Sequence, residues 1–122
     1  MVDKKQLAID FAKSLNHPEI ERIVLFGSVA REEDTDESDV DILIITKDIN
    51  DEFKIRDDIY TKVFDILLSI GVRISVKMRS VEQYETHKDF SFYSNVEKDG
   101  VTIGWNKFNF STSRGNIESI WT

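Results

Sequence analysis

The sequence predicts an α/β (α+β) fold, a small mixed β-sheet with helices packed on it, and three observations support that expectation. Two runs rich in branched and aromatic residues, Ile20 to Phe26 and Val40 to Thr46, have the length and composition of strands. Residues 3 to 15 and 51 to 70 repeat apolar side chains at helical spacing. Val72 to Met78 alternates apolar and polar residues with period two. Helices interleaved with strands in this order bury their apolar faces on a shared sheet.

In the first segment Leu7, Ala8, Phe11, Ala12 and Leu15 form the apolar face, Asp3 is the expected cap, and Asn16-His17-Pro18 is the stop. Ile20 to Phe26 ends abruptly at Gly27-Ser28, which predicts a strand opening into a tight turn, with one or two helical turns over Ser28 to Glu32. Val40 to Thr46 is a more apolar strand whose first residues still belong to an acidic run. The long helix places Ile59, Val63, Phe64, Leu67 and Ile70 on one expected buried face. Asp51 and Glu52 stand at the end where the helix dipole favours acids, and Gly71 ends it. The alternation in Val72 to Met78 suits a strand with one buried face near a sheet edge. Val81 to Lys98 reads as one or two short helices interrupted near Asp89, and Val101 to Trp105 as a small strand after Asp99-Gly100.

A chain of 122 residues with 40% apolar and 32% charged side chains is expected to form one ordinary core, here residues 1–105. Residues 106–122 form a polar tail: eight of the fourteen residues from Asn106 to Ser119 are Ser, Thr, Asn or Gly. Trp105 and Trp121 flank that tail and read as core or dimer contacts, which leaves a homo-oligomer open. No stretch approaches the roughly 18 apolar residues of a membrane span, and the N-terminus lacks the apolar segment of a secretory signal, so a cytoplasmic protein without membrane contact is expected. There are no cysteines and only two histidines, His17 and His87, which read as helix-end and exposed helical residues. A bound metal must therefore take oxygen ligands, which favours magnesium, manganese or calcium.

The formal charge of −7 resides in one decade of sequence: residues 32 to 41 hold seven carboxylates and no base, and the other 16 acids balance 16 bases. That distribution disfavours a nucleic-acid ligand and suits a cation. Glycine after a strand lets backbone approach a ligand, and serine adds a hydroxyl together with the N–H groups of a starting helix. Gly27-Ser28 is accordingly the candidate phosphate seat. Asp39 and Asp41 are two apart at the start of a strand, project from one face, and can converge on one ion. Magnesium is usually held by one or two carboxylates plus substrate phosphates, which this pair can supply.

Leu25-Phe26-Gly27-Ser28-Val29-Ala30-Arg31, followed by Ser38-Asp39-Val40-Asp41-Ile42-Leu43-Ile44, resembles the polymerase-beta-like nucleotidyltransferase signature: Gly-Ser, ten residues, then Asp-x-Asp. More narrowly it is similar to the minimal nucleotidyltransferases of prokaryotes that act as antitoxins of HEPN-type toxins. The resemblance covers roughly residues 5 to 104 and is strongest from 23 to 45. It implies the nucleotidyltransferase fold and transfer of a nucleoside monophosphate, AMP from ATP with Mg2+, to a hydroxyl of a partner protein, a HEPN-like toxin. By position it implies that Gly27, Ser28, Arg31 and Ser38 serve nucleotide binding, the last two by supporting the loop. Asp39 and Asp41 would be the catalytic, magnesium-ligating pair. Arg31 has a second reading as a surface ion-pair partner and Ser38 as a brace of the acidic loop.

At one place the sequence departs from the family pattern. A third carboxylate usually stands on the strand after the long helix, where this chain has Arg73, Ser75 and Lys77. Glu82, Glu85 and Asp65 are the alternative acids nearby in sequence. The departure favours a second reading, a catalytically impaired nucleotide- and metal-binding module that neutralises or scaffolds a partner by binding. Transfer to a small molecule usually demands a second, acceptor-binding domain for which 122 residues leave little room.

Overall fold

The computed structural model describes residues 2–47, 52–87 and 91–105. Asp3 caps the first helix by accepting the Gln6 backbone N–H at 3.1 Å, and α1 (Lys4–Ser14) runs from there to a C-cap at Leu15. After Pro18 the chain enters β1 (Ile20–Phe26), turns through the single helical turn α2 (Gly27–Ala30), and crosses the acidic loop to β2 (Val40–Thr46). The long helix α3 (Glu52–Ile70) leads through Gly71, at φ +74°, to β3 (Ile74–Ser80). Helices α4 (Val81–His87) and α5 (Ser91–Asp99) precede β4 (Val101–Trp105). The interruption expected near Asp89, the acid at Asp51 and the tail 106–122 with Trp121 all lie outside the described residues.

The sheet is mixed, in the order β3-β2-β1-β4. β1 pairs antiparallel with both β2 and β4, and β2 pairs parallel with β3, which stands at an edge as its alternation anticipates. Because strand side chains alternate, β2 is buried on both faces: Ile42 and Ile44 join α1 and α3, while Leu43 and Ile45 join α4 and α5. The first core holds Phe11, Ile23, Leu25, Ile59 and Ile74 among others. The second closes over Tyr84 and Tyr93, whose rings meet edge to face at 5.7 Å. There Arg22 lies over the Tyr84 ring, the Tyr84 hydroxyl donates to Glu97, and Arg79 donates to the Tyr93 hydroxyl at 2.9 Å. Burial, with the Glu97 carboxylate, pushes the Tyr84 phenol up to about 12.

One expectation is corrected. The buried side of α3 is formed by Ile55 and Ile59, with Val63 and Ile66 packed beside them, whereas Phe64 and Ile70 are exposed. α3 is apolar on two opposite sides, so the helical period alone fits either side as the core face. Among the described residues no helix is long and apolar enough to cross a membrane.

Candidate functional site

The antiparallel ladder sets Phe26 opposite Asp41, so the turn that leaves β1 lies against the acids that enter β2. Gly27 has φ +77°, a backbone conformation that favours glycine. A Cβ there would also overlap the Asp41 carboxylate. The glycine therefore serves two needs, the left-handed turn and the close approach of the acid. Arg31 N–H bonds to the Gly27 carbonyl at 3.1 Å and Glu33 N–H to the Ser28 carbonyl at 2.9 Å, closing α2. The N–H groups of its first residues have no partner within so short a helix.

Asp41 is half-buried, and its carboxyl lies above the usual range, first because of burial and next because Asp39 is close. The Lys77 and Arg31 cations partly offset this. Two neighbouring acids at a strand start, both hard oxygen donors, fit a divalent cation of the magnesium kind. Asp39 also faces Arg73, its Oδ1 4.0 Å from Nη1, an exposed pair that contributes little to stability.

Arg31 and Ser38 are both seen holding the loop. The Arg31 guanidinium joins Glu33 at 3.0 Å and Asp99 of α5 at 3.4 Å, and these acids strengthen its hold on its proton, Glu33 first. The Ser38 hydroxyl accepts the Thr35 N–H at 2.9 Å, and Ser38 N–H bonds back to the Thr35 carbonyl at 3.1 Å.

A residue outside the motif secures the same loop. Lys4, 7% exposed, inserts its ammonium under the acidic segment and donates to the carbonyls of Thr35 (2.7 Å), Asp36 (3.2 Å) and Ser38 (2.8 Å). It places one positive charge beneath seven carboxylates and satisfies three carbonyls at once. Neither Lys4 nor Asp99 was marked by the sequence, where each looks like an ordinary solvated charge at a helix end. An open cleft of about 340 Å³ beside α1, lined by Lys5, Gln6, Ile9, Val29 and Glu32, includes neither Asp39 nor Asp41.

The parallel register pairs Asp41 with Ser75, and Lys77 sits two residues further along the same face of β3. Glu82 and Glu85 belong to α4, which starts beyond Ser80, about 16 Å along the strand from Ser75. Asp65 is exposed on α3, whose core lies on the opposite face of the sheet. None of these acids is brought to the pair, and among the described residues no three acids or histidines converge on one point.

A Gly-Ser turn seated against an Asp-x-Asp strand on a mixed sheet defines the nucleotidyltransferase class. The chain belongs to the polymerase beta nucleotidyltransferase family, whose model matches residues 9–106. A protein of Methanocaldococcus jannaschii that carries the provisional name protein adenylyltransferase is 38% identical over 95 residues, 78% of this chain and 89% of that one. A toxin–antitoxin crystal structure with AMP-PNP shares the fold at TM-score 0.51 and 16% identity, covering 98% of this chain and 87% of its own. A mutant toxin–antitoxin crystal structure does so at TM-score 0.50 and 15% identity, covering 99% and 87%.

Proposed function

We propose that this protein is a cytoplasmic antitoxin that transfers AMP from ATP to a hydroxyl of a partner protein, a HEPN-like toxin. The observation that carries the reading is the ladder pairing of Phe26 with Asp41, which sets the Gly27-Ser28 turn and the two acids side by side. The relative named as a protein adenylyltransferase supports AMP and a protein acceptor, and the toxin–antitoxin structures of the same fold support the class of partner.

In this reading the Ser28 hydroxyl and the N–H groups of α2 bind the triphosphate, and Gly27 lets it approach the backbone. Asp39 and Asp41 hold Mg2+ together with the nucleotide. When bound, the ion neutralises charge on the attacked phosphate and the leaving pyrophosphate. Arg31, Ser38 and Lys4 keep the loop in the shape that aims both carboxylates at one point. Transfer forms a bond from the acceptor oxygen to the α-phosphorus, breaks the bond from that phosphorus to the bridging oxygen, and releases pyrophosphate and the hydroxyl proton.

A second reading rests on Ser75, which takes the place opposite Asp41 between Arg73 and Lys77. With no carboxylate of β3 to take the acceptor's proton, the chain in this reading binds nucleotide and partner without turnover. Incubation with labelled ATP, Mg2+ and the product of the adjacent gene separates the two. Label on that protein, lost in Asp39→Asn/Asp41→Asn, supports transfer. Transfer that survives the double change refutes the metal pair, and equal inhibition of the partner by wild type and double variant establishes a binder.

A further inference from the structure

The outward side of α3 has no counterpart in a monomer's needs. Phe53 is 82% exposed, Leu68 69%, Phe64 58% and Tyr60 46%, on the side of the helix opposite Ile55 and Ile59. Scattered exposed apolar residues are ordinary, but a helix that is apolar on opposite sides belongs between two layers. The spacing tells what shape the second layer has. Phe53, Asp57, Tyr60, Phe64 and Leu67 are separated by four, three, four and three residues. That 3.5-residue repeat keeps a seam turned toward another helix over about 22 Å.

We propose that this seam is a self-association surface on which α3 of a second copy packs antiparallel about a twofold axis near Asp58 and Ile59. The charges favour that partner and that direction. With the twofold there, each Phe53 meets Phe64 of the other copy, and each Asp57, the one acid in the seam, meets the hydroxyl-bearing ring of Tyr60. Lys54 and Asp65 lie on one flank of the seam near opposite ends, so antiparallel pairing brings each lysine beside the other copy's aspartate. Parallel pairing would stack Asp57 on Asp57 and carry the flanks that hold Lys54 and Asp65 to opposite sides of the seam, where lysine and aspartate do not meet. A single helix face is at the small end of specific interfaces, so a dimer of about micromolar strength is expected. The inference is independent of the chemistry at Asp39 and Asp41.

Sedimentation equilibrium of the full chain from about 1 µM to about 500 µM tests it. The expected result is a monomer–dimer equilibrium that Phe53→Glu and Phe64→Glu each weaken by roughly tenfold or more. Because both side chains are exposed, the circular dichroism should be unchanged. Lys54→Glu and Asp65→Lys should each weaken the dimer, and the double exchange should restore it. A wild type that stays monomeric throughout overturns the proposal, whether the seam then binds a hydrophobic dye, is shielded by the chain's own tail, or becomes protected only when another protein is added. A dimer indifferent to Phe53→Glu and Phe64→Glu overturns it equally.

Discussion

Replacing Lys4 with methionine keeps the aliphatic stem and removes the ammonium, which isolates the contribution of its three carbonyl contacts. The contacts to Thr35 and Ser38 are short, and at about 1.5 kcal/mol for each hydrogen bond to a charged donor they amount to about 3 kcal/mol. The loop from Arg31 to Glu37 is exposed, so water can reach part of what the ammonium leaves. About half of that energy should appear as lost global stability, a fall in melting temperature of roughly 5 °C for a domain of this size. The remainder is the cost of ordering the loop when Mg2+ and nucleotide bind, and about 1.4 kcal/mol corresponds to a tenfold weaker Kd. Calorimetric titration with a non-hydrolysable ATP analogue and Mg2+ reads this directly. A Kd within about twofold of wild type, alongside the same fall in melting temperature, refutes the coupling of Lys4 to the site and leaves it a purely structural lysine.

Three further outcomes are expected. Gly27→Ala forces a Cβ into the Asp41 carboxylate at φ +77°, so it should cost about 1–2 kcal/mol in denaturant unfolding and lose nucleotide binding. Unaltered binding would count against the close approach. Asp41→Asn should separate stability from function. The raised proton affinity of Asp41 means that its charged form is disfavoured in the fold, a penalty present at neutral pH and absent below the unfolded carboxyl value. Without metal the variant should melt slightly higher than wild type at pH 7 while losing Mg-nucleotide binding, and a lower melting temperature would contradict this reading. Asp58 is held below the usual carboxylate range first by Lys62, at 2.5 Å, and then by His17, at 2.7 Å. Its contribution is present above about pH 4 and fades as pH falls through the depressed value. The unfolding free energy of Asp58→Asn from urea titration should therefore vary less between about pH 5 and about pH 2 than that of wild type, by under about 1 kcal/mol because the groups are partly exposed.

What the sequence made legible follows from how local each signal is. β1, β2 and β4 stand at the predicted residues, and Asp3 and Gly71 act where a cap and a stop were expected. The pairing of the Gly-Ser turn with Asp39 and Asp41 was legible because a short loop joins two apolar runs. Spacing of that kind survives folding. The strand order and the parallel pairing of β2 with β3 depend on contacts distant in sequence and left no local trace. The face of α3 was misread because Phe64 and Ile70 satisfy the same period as a buried side chain would. Lys4 was invisible, since its acceptors are carbonyls 31 to 34 residues away that any residue type would offer.

The contact between Gly27 and Asp41 also limits how this chain can change. Fourteen positions apart in sequence, the two share one volume, so a side chain at the first is admitted only if the acid at the second withdraws. A library that varies single positions will register each as intolerant for a different apparent reason, the turn in one case and the ion in the other. Varied together they behave as one locus: replacing Asp41 by a smaller residue removes the overlap at Gly27 and leaves only the left-handed backbone to oppose a substitution. A scan of paired variants scored for folding rather than for binding should recover that dependence as a positive coupling between the two sites.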